Sequence, residues 1–271
     1  MGSNVLQAFL LTMVAGLSTV IGSFIALFAK RTNTKFLSVS LGFSAGVMIY
    51  VSFMEIMVKS KEALISHLGE RPGIIVATCS FFFGMAAIGL IDNLIPSDQN
   101  LHELQNLDEL EEGVDSPKVD KSHLMRTGMF TALAIAIHNF PEGLITFISA
   151  LQDPAMAIPI VAAIAIHNIP EGIAVSAPIY FATGSKRKAF WYSAASGMTE
   201  PIGAIIGYLL LMPFLNDLVY GILFGIVAGI MVFISLDELL PSARAYGEHH
   251  LAIYGMVGGM AVMALSLILF L

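Results

Sequence analysis

Eight stretches of mainly apolar residues alternate along the chain with polar breaks. They cover roughly 5–29, 36–58, 73–95, 125–150, 155–181, 189–212, 218–240 and 250–271. A helix rises about 1.5 Å per residue, so an apolar run of about 18 residues or more reads as a membrane span. The pattern predicts an all-α polytopic membrane protein with eight transmembrane helices.

Composition agrees with that pattern. The chain is 56% hydrophobic and 12% charged, with a mean hydropathy of +0.81, whereas soluble domains carry about 25% charged residues. With the N-terminus outside, the cytoplasmic connections hold Lys30, Arg31, Lys35, Lys118, Lys121, Arg126, Lys186, Arg187, Lys188 and Arg244. The outer connections then hold only Lys59, Lys61 and Arg71. That bias predicts both termini outside. The first span lacks a basic leader and a cleavage site, so it reads as a retained helix. One cysteine, Cys79, cannot form an internal disulfide. No basic patch is present, which excludes nucleic acid as a partner and leaves the lipid bilayer. No P-loop pattern is present either, which argues against direct ATP coupling.

The apolar pattern divides the chain into spans 1–3 (1–96), a loop (97–123), spans 4–5 (124–182) and spans 6–8 (183–271). The loop carries Asp98, Glu103, Asp108, Glu109, Glu111, Glu112, Asp115 and Asp120, with Leu101, Leu104, Leu107 and Leu110 at intervals of three. It reads as an acidic cytoplasmic linker that includes His102 and His123, part of it a short amphipathic helix.

Two internal repeats stand out. "AIAIHNFPEG" at 134–143 returns as "AIAIHNIPEG" at 163–172, and "GFSAGVMIYVSFMEIM" at 42–57 aligns with "GIVAGIMVFISLDELL" at 225–240. In both cases the matched spans run in opposite directions through the membrane. Opposed similar segments are the mark of inverted repeats, whose substrate sites lie near the midplane. The expected arrangement relates helices 1–3 to helices 6–8 by inversion, with the 4–5 pair between them. The Gly221, Gly225, Gly229 series and the Gly203–Gly207 pair read as close-packing faces.

The decapeptides place ionisable groups in hydrocarbon, where they are costly and usually functional. His138 and Glu142 are spaced i, i+4 and Asn139 and Glu142 i, i+3, so all three share a helix face. Imidazole nitrogen, amide oxygen and carboxylate can each ligate a metal. Pro141 cannot donate to the Ile137 carbonyl, which frees that oxygen and is expected to kink the helix. Gly143 admits a neighbouring backbone. His167, Asn168, Pro170, Glu171 and Gly172 repeat the arrangement on the opposed neighbour. Two carboxylates facing each other in oil call for a countercharge, and a divalent cation supplies it. Glu142 and Glu171 could bridge two ions, one with His138 and His167, the other with Asn139 and Asn168. Glu200 in "SGMTEPIG" is a further mid-helix candidate. This donor set suits Zn, Fe, Mn or Co better than Mg or Ca. Ser52, Glu55, Asp237 and Glu238 are candidates for a pathway on either side of the centre, with Asp92, His249 and His250 near the inner surface.

"HNFPEG", "HNIPEGIAVSAPIY" and "SGMTEPIGA" resemble the ZIP (Zrt-, Irt-like protein) divalent metal transporters, in their bacterial ZupT/GufA-type branch, over essentially the whole chain. The resemblance implies uptake of a divalent transition metal (zinc, iron, manganese, cobalt or cadmium) into the cytosol, with the metal as substrate and no prosthetic group. It implies a binuclear centre of His138, Asn139, Glu142, His167, Asn168, Glu171 and Glu200, a 3+2+3 helix arrangement, an elevator-like cycle in a cell membrane, and frequent homodimers. Many relatives have a histidine-rich loop between helices 3 and 4, whereas the loop here is acidic. An intramembrane metalloenzyme is the alternative from the residues alone, but there is no HExxH and the symmetric half-sites leave no obvious open position. An exporter or a metal-gated regulator is the other, because residue chemistry does not fix direction.

Overall fold

The computed structural model describes residues 2–28, 34–94, 121–245 and 249–269, and these are helical apart from short connections. Helix α1 is Gly2–Phe28. Helix α2 is a continuous rod of Thr34–Val51, a π-turn at Ser52–Ile56 and Met57–Leu68. Helices α3 (Glu70–Leu94), α4 (Lys121–Gln152) and α5 (Pro154–Thr183) follow. Helix α6 is made of Lys186–Gly197 and Thr199–Leu211. Helix α7 is Asp217–Ile234, a π-turn at Ser235–Leu239 and Leu240–Ala245, and α8 is His249–Leu269. Most of the acidic loop, with His102, lies outside the described residues.

Local chemistry explains the joints. Gly69 and Gly184, at φ 85° and 65°, end α2 and α5 in backbone that residues with a Cβ rarely adopt. Ser185 and Asn216 cap the following helices, accepting hydrogen bonds from the Lys188 and Val219 backbone N–H groups. Helix α2 runs ten residues past the expected limit of 58, because Lys59–Leu68 keeps a helical pattern while its mean hydropathy falls.

Among the described residues, seven helices are long and apolar enough to cross a membrane: α1–α5, α7 and α8. The expected sixth span is present as two pieces of 12 and 13 residues that meet at Met198. Pro201 has no N–H to offer the Gly197 carbonyl, so the ladder loses a rung at that joint. It resumes where the Ile202 N–H reaches the Met198 carbonyl at 3.3 Å. Pro141, Pro159, Pro170 and Pro178 lie inside α4 and α5, which run through them without a break.

The helices pack as two groups of four. One is α1, α4, α5 and α6, and the other is α2, α3, α7 and α8; α2 against α5 and α4 against α7 join them. Inside each group the tightest crossings are made by reciprocal glycines. A Cβ on Gly22 would strike the Ile169 carbonyl, and one on Gly172 the Thr19 carbonyl, where α1 crosses α5. Gly46 and Gly259 do the same for α2 and α8, and Gly84 and Gly229 for α3 and α7. Backbones brought this close gain dispersion and shape fit where lipid offers no hydrophobic drive. Large apolar side chains such as Leu10, Phe82, Phe83, Leu209 and Leu269 remain exposed on the outer faces, as lipid contact requires.

The 42–57 and 225–240 match reappears in backbone geometry. The two π-turns, Ser52–Ile56 and Ser235–Leu239, occupy the same register of the alignment. Each opens on a serine whose hydroxyl donates to the carbonyl four residues back, Ser52 to Met48 at 2.6 Å and Ser235 to Met231 at 2.7 Å. A π-turn adds one residue to a helical turn and is uncommon in any helix.

The glycine crossings generate a direct test. Gly22→Val should lower the thermal midpoint in detergent, because overpacking of this kind costs about 1–3 kcal/mol. Gly258→Ala, which faces open space, should leave it unchanged.

Candidate metal centre

The seven residues singled out on helices 4, 5 and 6 come together where α4, α5 and α6 meet. All seven are buried, with none more than 1% exposed. The backbone makes this possible. A Cβ on Gly143 would meet the Glu200 backbone, and one on Gly203 the Phe140 carbonyl, so α6 lies directly against the first decapeptide. Gly172 does the same for the second decapeptide and α1.

The pairing is crossed between the two decapeptides. His138 Nε2 of α4 stands 3.2 Å from Glu171 Oε2 of α5. His167 Nε2 of α5 stands 3.3 Å from Glu142 Oε2 of α4. The second pair has hydrogen-bond geometry, and the first has the distance without the alignment. Asn168 Nδ2 donates to the Ala15 carbonyl at 3.0 Å and to Glu200 Oε1. Asn139 Nδ2 donates to the Ser196 carbonyl at 3.3 Å. Both amides thus use their nitrogens on the surrounding frame and turn their oxygens the other way.

Each of the seven keeps at least one buried polar atom without a hydrogen-bond partner: His138 Nδ1 and Nε2, Asn139 Oδ1, Glu142 Oε1, His167 Nδ1, Asn168 Oδ1, both oxygens of Glu171, and Glu200 Oε2. Leaving such an atom unsatisfied costs about 1–3 kcal/mol, so native interiors rarely collect them. Most carry lone pairs suited to a cation, which makes the set chemically apt for a divalent transition metal. Among the described residues no three His, Cys, Asp or Glu side chains already form a cluster tight enough for one ion. The structure brings together two crossed pairs and an amide–carboxylate contact.

The four pathway candidates lie on α2 and α7, outside the three helices that carry this group. Ser52 spends its hydroxyl on its own helix. Glu55, part-buried, pairs with Lys59 at 2.9 Å. Asp237 and Glu238 are half-buried in the α7 π-turn, and Glu238 is near enough to act electrostatically on His138. The side chains of Asp92 and His249 are outside the described set.

Sequence reasoning missed the frame around the site, namely the carbonyls of Ala15 and Ser196. It also missed a polar line on α4. Glu142, Thr146 and Ser149 follow at intervals of four and three on one face, and Asp153, four residues further on, lies just past the end of the helix. Thr146 and Ser149 are both buried, and the spacing alone could have revealed the line.

A family model described as "ZIP Zinc transporter" matches residues 96–267. The "Zinc transporter ZupT" of Clostridium perfringens (strain 13 / Type A) is 60% identical over 278 aligned residues, covering 99% of this chain and 98% of the relative. The protein of the same name from Lysinibacillus sphaericus is 59% identical, covering 99% of each. That from Streptococcus mutans serotype c is also 59% identical, covering all of both.

The crossed pairs should behave as coupled units. Truncating one partner leaves the other charge buried and alone, which costs about 3–5 kcal/mol, whereas removing both costs far less. In a thermal-unfolding cycle on purified protein without metal, His167→Ala should therefore destabilise more than the His167→Ala/Glu142→Ala double variant.

Proposed function

The chain belongs to the ZIP zinc transporter family, and from that premise we propose that it moves zinc ions across the membrane through the buried centre of α4, α5 and α6. It is a multi-pass membrane protein and a transporter, not an enzyme. The observation that carries the proposal is the cluster of buried, partnerless donor atoms on all seven residues. Glu142 and Glu171 bridge two ion positions. His138 and His167 complete one, and Asn139, Asn168 and Glu200 complete the other. Iron, manganese, cobalt and cadmium fit the same donors, since imidazole with carboxylate selects by class more than by single metal.

The crossed pairs supply the coordinating chemistry. An ion that sheds water gains imidazole and carboxylate in its place, and its charge relieves the repulsion between Glu142 and Glu171. The matched π-turns and the reciprocal glycine crossings support an inverted relation of helices 1–3 to 6–8 around the 4–5 pair, with α6 as the sixth span. Because the centre belongs wholly to the α1, α4, α5, α6 group, an elevator-like shift of that group against α2, α3, α7 and α8 would carry the ion with its ligands. Glu55 with Ser52 on one side, and Asp237 with Glu238 on the other, serve as steps along the route. The excess of Lys and Arg in one set of connections favours both termini outside a cell membrane, and the family resemblance favours metal moving inward.

The test is zinc flux into proteoliposomes. Glu142→Ala and Glu171→Ala should each abolish it while the protein remains inserted and folded. Undiminished flux in both variants would remove the centre from the pathway.

A further inference from the structure

A cavity of about 200 Å³ opens at the membrane face where α2 and α4 end and α7 begins. Its rim carries the carboxylates of Glu62, Asp153 and Asp217, together with the Lys59 ammonium; Ser149 and Tyr220 are its buried floor. Ser149 is 5% exposed, and its Oγ, beside the Tyr220 hydroxyl, has no hydrogen bond of proper geometry. From the floor Ser149, Thr146 and Glu142 follow inward along one face of α4, with the Thr146 hydroxyl donating to the Glu142 carbonyl at 2.7 Å.

The internal repeats make this mouth unlike the opposite one. Moved by the 29 residues that relate the decapeptides, Thr146, Ser149 and Asp153 become Val175, Pro178 and Ala182. Moved by the 183 residues that relate α2 to α7, Lys59 and Glu62 become Ser242 and Ala245. The matched halves agree through the centre and the π-turns, then part company at the residues that line the cavity. Close packing does not require the difference, since Glu62, Asp153 and Asp217 are exposed.

We propose that this cavity is a loading site for a hydrated divalent cation, gathered by Glu62, Asp153 and Asp217, steadied on the Ser149 and Tyr220 hydroxyls, and held in check by Lys59. The cavity is wide enough to admit such an ion with its first shell of water. Exposed carboxylates act on the ion through its water shell, raising its local concentration without stripping it. Lys59, 2.9 Å from Glu55, is a tethered positive charge that an arriving cation must displace before Glu55 becomes available. The ion then passes along the α4 line to Glu142, where water is exchanged for protein ligands.

This inference rests on the transport reading, and zinc flux measured against zinc concentration separates the two. Glu62→Gln, Asp153→Asn and Asp217→Asn should each raise the half-saturating zinc concentration several-fold while changing the maximal rate less than twofold. Lys59→Met should lower it. Both effects should shrink with added salt, since the screening length falls from about 30 Å at 0.01 M to about 8 Å at 0.15 M. Glu70→Gln, on the same face but outside the cavity, should change nothing. Unaltered half-saturation in the three carboxylate variants and in Lys59→Met, with flux still abolished by Glu142→Ala, would overturn the loading site and leave the central one standing. Flux that survives Glu142→Ala would overturn the central site, and the mouth would still be judged by its own half-saturation series.

Discussion

Everything in this molecule is arranged around charge held where water cannot reach it. Two histidines and three glutamates share a small volume in the middle of an apolar bundle. An isolated charge there would cost many kcal/mol by solvation alone. Crossing the pairs between α4 and α5 means that neither helix can be charged and stable without the other. His138 needs Glu171, and Glu142 needs His167. The decapeptides are near-copies because each must present the same donors to its opposite.

That constraint reaches outward through the glycines. Imidazole and carboxylate meet at 3.2–3.3 Å only if the helix axes are held close and at fixed rotation. Gly143 against the Glu200 backbone seats α4 on α6, and Gly172 against the Thr19 carbonyl seats α5 on α1, each through main-chain atoms that have little freedom to yield. The amide nitrogens of Asn139 and Asn168 add a second restraint. They anchor α4 and α5 to carbonyls of α6 and α1.

Much of this was legible in the letters. The duplicated decapeptide named six of the seven central residues, and "SGMTEPIG" named Glu200. The 42–57 and 225–240 alignment anticipated a shared structural feature, which proved to be a π-turn in the same register. Spacing and periodicity could not show the crossed pairing, because they fix a face on one helix and say nothing of its rotation against another. The sixth span was read as a single helix because hydropathy averages over a window and does not register the rung lost at Pro201. The line from Glu142 to Asp153 escaped notice because threonine and serine are weak polar signals in an apolar background. Their spacing was there to be read, and their burial gave it weight.

The division into two four-helix groups has a thermodynamic consequence. All seven central residues ride on α4, α5 and α6, inside one group. A ligand shifts an equilibrium only by its difference in affinity between states. On the proposed elevator-like cycle, an ion enclosed by one such group would have nearly the same affinity wherever the group stood, so its binding could not choose a position for it. Preference would then come from the seam, where α2 meets α5 and α4 meets α7, and where the Ser44 hydroxyl donates to the His167 carbonyl at 3.1 Å. On that cycle the centre would decide what is held, and the seam where it is held.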